Sequence, residues 1–206
     1  MNKCFIGIDP SFAGLGLSII DTERKEINFR ELKVELGSGT FVEVTKASDI
    51  MFNQLFNQIS KLDSNTFIGM EIPPVQGMYA VKLWALDTHL YRNLINNNFT
   101  NVWLFNVPYL KFINKKYEGK KDTKEMMTKI VEVFKDYGYS INTNLKSKNG
   151  KDRKLTSNQL DSFIYAVRMF VKYSMKFAKN PDIVSEILNI NENFLEEKET
   201  ILGKKL

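Results

Sequence analysis

The chain has 206 residues, 43% of them apolar and 26% charged, with 29 basic against 24 acidic side chains and a formal net charge of +5. These values describe an ordinary soluble domain long enough to bury one full core, and no apolar run approaches the roughly 20 residues of a membrane span. A single cysteine, Cys4, excludes an internal disulfide and a multi-cysteine zinc site, and with no signal-peptide pattern the expected location is the cytoplasm.

The charge is unevenly placed. From Pro181 onward six acids stand against three lysines, so the body before that point is more basic than the whole and suits a polyanionic partner. We expect one domain over residues 1–178 and an acidic tail over 179–206. Within the tail, Ile183, Ile187, Leu188 and Ile190 form one short amphipathic run that either docks on the body or meets a partner.

Lys3 to Asp21 reads as two apolar strands joined by a turn at Pro10 and Ser11, with Asp9 ending the first. The residues after the turn are small, and Gly14, Gly16 and Ser18 allow another backbone or a phosphate to approach the place where Asp9 points. A third strand is expected over Lys25 to Leu36. The period then becomes helical from Val42 to Leu62, with Met51, Leu55 and Ile59 in line. Asn65 to Ile72 is a short strand carrying Glu71, closed by Pro73 and Pro74.

Met78 to Asn96 predicts a helix with two apolar stripes, Leu83, Leu86, Leu90 and Leu94 on one and Trp84, Thr88, Tyr91 and Ile95 on the other; the second suits another subunit or a further element of the same chain. His89, the one histidine, lies among polar neighbours and reads as a surface residue. Asn101 to Val107 is a further strand. Lys111, Lys115, Lys116, Lys120, Lys121 and Lys124 follow, interleaved with Tyr109, Phe112 and Tyr117, a mixture that suits phosphates and bases. Asp122 and Glu125 have the spacing of a capping box for a helix that Gly138 would stop. Tyr139 to Lys154 reads as a polar, basic loop. Thr156 and Gln159 then open a last helix with Leu160, Phe163, Ile164, Val167 and Val171 on its buried face, while Asn158 and Asp161, three apart, project from one side of its start.

This order predicts an α/β fold with a mixed five-stranded sheet flanked by helices. If the first strand is central and the fourth beside it, Asp9 and Glu71 become neighbours and the last helix brings Asp161 across. Three carboxylates without histidine or thiol are ligands for a hard cation, Mg2+ or Mn2+ as its substitute. Two such ions about 4 Å apart can activate water and stabilise the leaving oxygen of a phosphodiester. Beside a lysine-rich loop, this chemistry is that of a nuclease.

GIDPSFAGLGLSIID, IGMEIPPV, PYLKF with GKKDTKEMMTKIV, and LDSFIYAV, in this order, resemble the motifs of the RuvC-like Holliday-junction resolvases of the RNase H-like superfamily, most of all the phage-encoded branch such as those of lactococcal phages. The resemblance spans roughly Lys3 to Ala178. It implies an RNase H-like fold and a homodimeric, Mg2+-dependent endonuclease acting on branched DNA. Asp9, Glu71 and Asp161 would be the metal ligands, and Lys111 and Lys124 the characteristic lysines. Asn158 stands where the family usually has an aspartate or histidine; its amide oxygen can ligate a cation without adding charge. Pro74 occupies the place of an aromatic wedge, leaving Met78 or Tyr79 to open a junction. The alternatives are an RNase H-like nuclease of another specificity, and a junction-binding protein with a weakened catalytic site. The first motif also resembles the phosphate hairpin of the sugar-kinase and actin superfamily, but those proteins need two such domains.

Overall fold

In the computed structural model the described residues are 3–37, 39–63, 65–73, 80–106, 120–144 and 154–195. The elements are β1 (Cys4–Asp9), β2 (Leu15–Asp21), β3 (Glu26–Leu32), α1 (Phe41–Ile59), β4 (Phe67–Ile72), α2 (Ala80–Asn96), β5 (Asn101–Asn106), α3 (Lys120–Asp136), β6 (Ser140–Thr143), α4 (Ser157–Lys176) and α5 (Pro181–Ile190), then a 3-10 turn, Glu192–Leu195. The fold is α/β, as the element order predicts, with a mixed sheet in the order β5-β4-β1-β2-β3-β6. It has one strand more than expected. The sixth lies in the stretch read as a loop, where Ser-Ile-Asn-Thr pairs in parallel with Glu26 to Phe29 at the sheet edge. With only half-exposed and exposed side chains, such an edge strand has little apolar signature.

β1 sits inside the sheet, antiparallel to β2 and parallel to β4. Alternation along the strands sends Phe5 to one face and Ile6 and Ile8 to the other, and the two faces carry separate cores. On one side α1 and α2 cover Ile6, Ile8, Leu17, Ile68 and Met70 with Met51, Leu55, Leu86 and Leu90. On the other, α4 lies on the sheet centre and α3 and α5 close the core around it.

The helix starts follow local rules in part. Thr156 and Gln159 form the expected capping box of α4, the hydroxyl accepting from the Gln159 backbone N–H and the Gln159 side chain accepting from that of Thr156. Thr40 and Glu43 do the same for α1. α3 differs, because it extends back to Lys120 and so places Asp122 inside its first turn, not at its cap. The amphipathic run beyond residue 178 becomes α5 and docks on α3 and α4 through Ile183, Val184 and Ile187, with Phe194 buried beyond it.

On α2, Leu86, Leu90 and Leu94 are buried as the first stripe requires. Val81 and Phe41, at the starts of α2 and α1, are about four-fifths exposed (82% and 80%). They border a groove of about 640 Å³ between the two helices, whose floor includes Val44, Trp84, Ala85 and His89. His89 is half-buried and its Nε2 lies 3.0 Å from Asp49 Oδ1, tying α2 to α1. Among the described residues no helix is long and apolar enough to cross a membrane.

Asp87, beside Leu86 on the same helix, is 6% exposed, and its Oδ1 is buried without a hydrogen-bond partner. Burial, aided by the charge of Glu71, pushes its carboxyl up from 3.8 to about 9. The folded chain thus holds a proton that the unfolded chain releases near pH 4. Between about pH 4 and pH 9 the unfolded state binds fewer protons, so this residue lowers stability as pH rises, by at most about 1.4 kcal/mol per pH unit. Asp87→Asn is therefore expected to raise the melting temperature at pH 8 more than at pH 5. Equal shifts at both values would show that the carboxyl does not titrate late.

Candidate active site

Small residues on the sheet decide how close α4 can come. Pairing sets Gly7 opposite Ser18 and Asp9 opposite Gly16, and sets Gly7 beside Gly69. Gly7, Ser18 and Gly69 therefore form a row with little side-chain bulk under α4. A Cβ on Gly7 would run into the carbonyl oxygen of Ser162, and one on Gly16 into that of Asn158. The helix backbone rests directly on the strands. Ser18 and Ser162 lie 2.6 Å apart between the oxygens of their hydroxyls, and both hydroxyls reach the Gln159 carbonyl, at 3.1 and 2.8 Å. Thus the small residues after Asp9 admit a backbone, one of the two alternatives open to the sequence.

The next row along the strands carries the acids. The parallel register of Ile8 with Met70 puts Glu71 one step further on, beside Asp9. Both side chains share the face of Phe5, on which α4 lies. α4 brings Asp161 to the same edge, between its contacts at Gly16 and Gly7. All three acids are half-buried.

One side chain senses all of them. Tyr165, a turn beyond Asp161 and fully buried, donates from Oη to Glu71 Oε2 at 2.7 Å. Its phenol is held well above its ordinary range, first by burial and then by the carboxylates of Glu71, Asp9 and Asp161. Sequence reasoning did not single out Tyr165, although its spacing of four from Asp161 puts both on one side of a helix.

Asn158 is half-buried at the start of α4, and its Nδ2 donates to the Gly14 carbonyl at 2.7 Å. The amide thus ties α4 to the loop that follows Asp9, a bond a carboxylate cannot donate. Glu31, opposite Gly16 on β3, extends the same row; its carboxylate lies beside Gly14 and pairs with Lys33 at 3.1 Å.

Among the described residues, no three histidine, cysteine, aspartate or glutamate side chains stand within metal-holding distance of one another. Asp9, Glu71 and Asp161 share an edge without closing on one point. The donor set is oxygen alone, which fits a hard divalent cation. Of the expected phosphate contacts, Lys124 is exposed on α3. Lys111, Lys115 and Lys116, the side chains of Lys120 and Lys121, and Pro74, Met78 and Tyr79 lie outside the described residues.

No family model matches the sequence. No curated protein matches it either. Among solved structures, RuvC from Thermus thermophilus is similar with a TM-score of 0.50 and 14% identity, covering 87% of this chain and 98% of that one. The same protein in complex with a Holliday junction substrate gives a TM-score of 0.47 and 11% identity over 85% of this chain and 96% of that one. The human cytomegalovirus terminase nuclease domain, Mn soaked and inhibitor bound, gives 0.43 and 11% over 82% of each. The first likeness identifies the fold as RNase H-like.

Proposed function

We propose that this chain is a metal-dependent endonuclease that nicks Holliday junctions and other branched DNA, of the RuvC-like kind and of its phage-encoded branch. The observation that carries this reading is the row of acids: sheet register sets Glu71 beside Asp9, and α4, seated on glycine and serine, brings Asp161 to the same edge. Asp9, Glu71 and Asp161 would hold Mg2+, with Mn2+ as substitute and two ions per site. When bound, the cations supply an activated water and charge stabilisation for the leaving oxygen. The three side chains would hold the ions at the sheet edge, and partial burial strengthens their field.

Asn158 has its amide nitrogen engaged with Gly14, which leaves its carbonyl oxygen as the donor it would offer a second ion. Lys111, Lys115, Lys116, Lys120, Lys121 and Lys124 would bind the arms through phosphates. Neutralising Lys115, Lys116, Lys120 and Lys121 together is expected to weaken binding to every duplex substrate. It should also flatten the salt dependence by about 0.9 in log–log slope for each phosphate no longer neutralised. An unchanged slope would show that these lysines only solvate the surface.

Two sites on a two-fold axis suit the paired strands of a four-way junction, so the active form would be a homodimer. The groove between α1 and α2, with Trp84 on its floor and Phe41 and Val81 on its borders, is the face for the second copy. The test is cleavage of synthetic four-way, three-way and linear duplex DNA with Mg2+, Ca2+ or chelator. Mg2+-dependent nicks confined to branched substrates support the proposal. Cleavage of RNA–DNA hybrids alone would favour an RNase H-like nuclease of another specificity, and tight junction binding without cleavage a binding protein.

A further inference from the structure

We propose that Tyr165 is a positioning residue for the metal site: its hydroxyl holds one oxygen of the Glu71 carboxylate and so presents the other to the cation. The inference rests on the reading of Glu71 as a ligand and adds to it a residue with no oxygen of its own on the metal.

The geometry separates this role from packing. Tyr165 Oη lies 2.7 Å from Glu71 Oε2, and a phenol has one proton to donate, so it engages one carboxylate oxygen at a time. The ring is held in place. It stacks on Phe105 with centroids 6.0 Å apart and planes 18° apart, and its Cβ lies where a side chain on Gly69, two residues before Glu71 on the same strand, would crowd it. The hydroxyl therefore has little freedom to leave the carboxylate.

Its place on α4 gives the arrangement a second consequence. Asp161 and Tyr165 are one turn apart, so the same helix carries one ligand and the group that orients another. When α4 seats on Gly7 and Gly69, it fixes both at once. With one oxygen engaged by a hydrogen bond, Glu71 is directed toward one-oxygen ligation, the mode that small, strictly octahedral Mg2+ accepts; the larger Ca2+ also takes a carboxylate through both oxygens. Tyr165 thus bears on which cation the site prefers.

The variant to make is Tyr165→Phe, which keeps the ring and removes only the hydroxyl. Binding of Mg2+, Mn2+ and Ca2+ to the full chain without DNA, followed by calorimetry beside the metal-free melting curve, gives a readout independent of cleavage. Affinity for Mg2+ and Mn2+ is expected to fall about tenfold, as for the loss of other groups that orient a ligand, while Ca2+ affinity changes less. In a Glu71→Gln background the same substitution should have no further effect. Unchanged Mg2+ and Mn2+ affinity in folded Tyr165→Phe protein, with Glu71→Gln alone impaired, overturns the role of Tyr165 and leaves the metal site standing. If Glu71→Gln also binds cations like the parent, the metal-site reading itself fails. Should Tyr165→Phe not fold, the structure of the parent with Mn2+ decides: Tyr165 Oη on one Glu71 oxygen and the ion on the other supports the proposal, and both oxygens on the ion overturn it.

Discussion

Asp9→Asn and Glu71→Gln are each expected to abolish nicking of a four-way junction while junction binding is kept or tightened. On the proposed reading, either change removes an anionic ligand from a site that would need negative charge to hold a divalent cation. The contribution of that cation to phosphodiester hydrolysis is several kcal/mol. At about 1.4 kcal/mol for each factor of ten, the loss is about a thousandfold or more. Binding is expected to move the other way because each substitution also removes a negative charge from the surface proposed to meet phosphates. Gel-shift titration and single-turnover cleavage on the same junction measure the two effects separately. Undiminished Mg2+-dependent nicking by either variant would remove these residues from the site.

The second large effect is expected from a residue with no side chain. In Gly7→Ala the new methyl group meets the Ser162 carbonyl oxygen and the Ala166 amide nitrogen, both backbone atoms of α4. Backbone cannot swing aside, so the helix must lift from the sheet. Overpacking of this kind costs about 3 kcal/mol, or about 6 to 12 °C in melting temperature for a domain of this size. Activity should fall further than the folded fraction, because lifting α4 moves Asp161 and Tyr165 away from Asp9 and Glu71, and a displacement of about 1 Å can cost a hundredfold in rate. Gly14→Ala is the control. Its methyl group meets only the ends of side chains, those of Glu31 and Asn158, which can shift where backbone cannot, so a much smaller loss is expected in the melting curve. Equal losses for the two would contradict the seating of α4 as described.

The acids of the site were legible because each sits at a place that local sequence marks. Asp9 ends its apolar strand and Glu71 lies one residue before the end of its own, and Asp161 lies four residues after the Ser157 that opens a capped helix. Their nearness follows from a short chain of rules, since a strand, two hairpin partners, a helix and a parallel return put β4 beside β1. What stayed hidden depends on contacts between distant residues. The Asn158 amide meets a carbonyl 144 positions away, and Tyr165 meets Glu71 at a separation of 94; neither leaves a trace in periodicity. Asp87 was hidden differently, as an acid set among the leucines of a helix face, where composition gives no reason to expect burial. β6 carries too few apolar residues to register, and the tail helix α5 was visible as an amphipathic run whose partner the sequence left open.

The central claim is that Asp9, Glu71 and Asp161 share a divalent cation. Its most direct measurement is anomalous scattering from crystals of the protein grown with Mn2+. The account predicts a peak within coordination distance of oxygens from all three side chains, and its loss in Asp9→Asn. Mn2+ bound elsewhere, with these three carboxylates still apart, would contradict it.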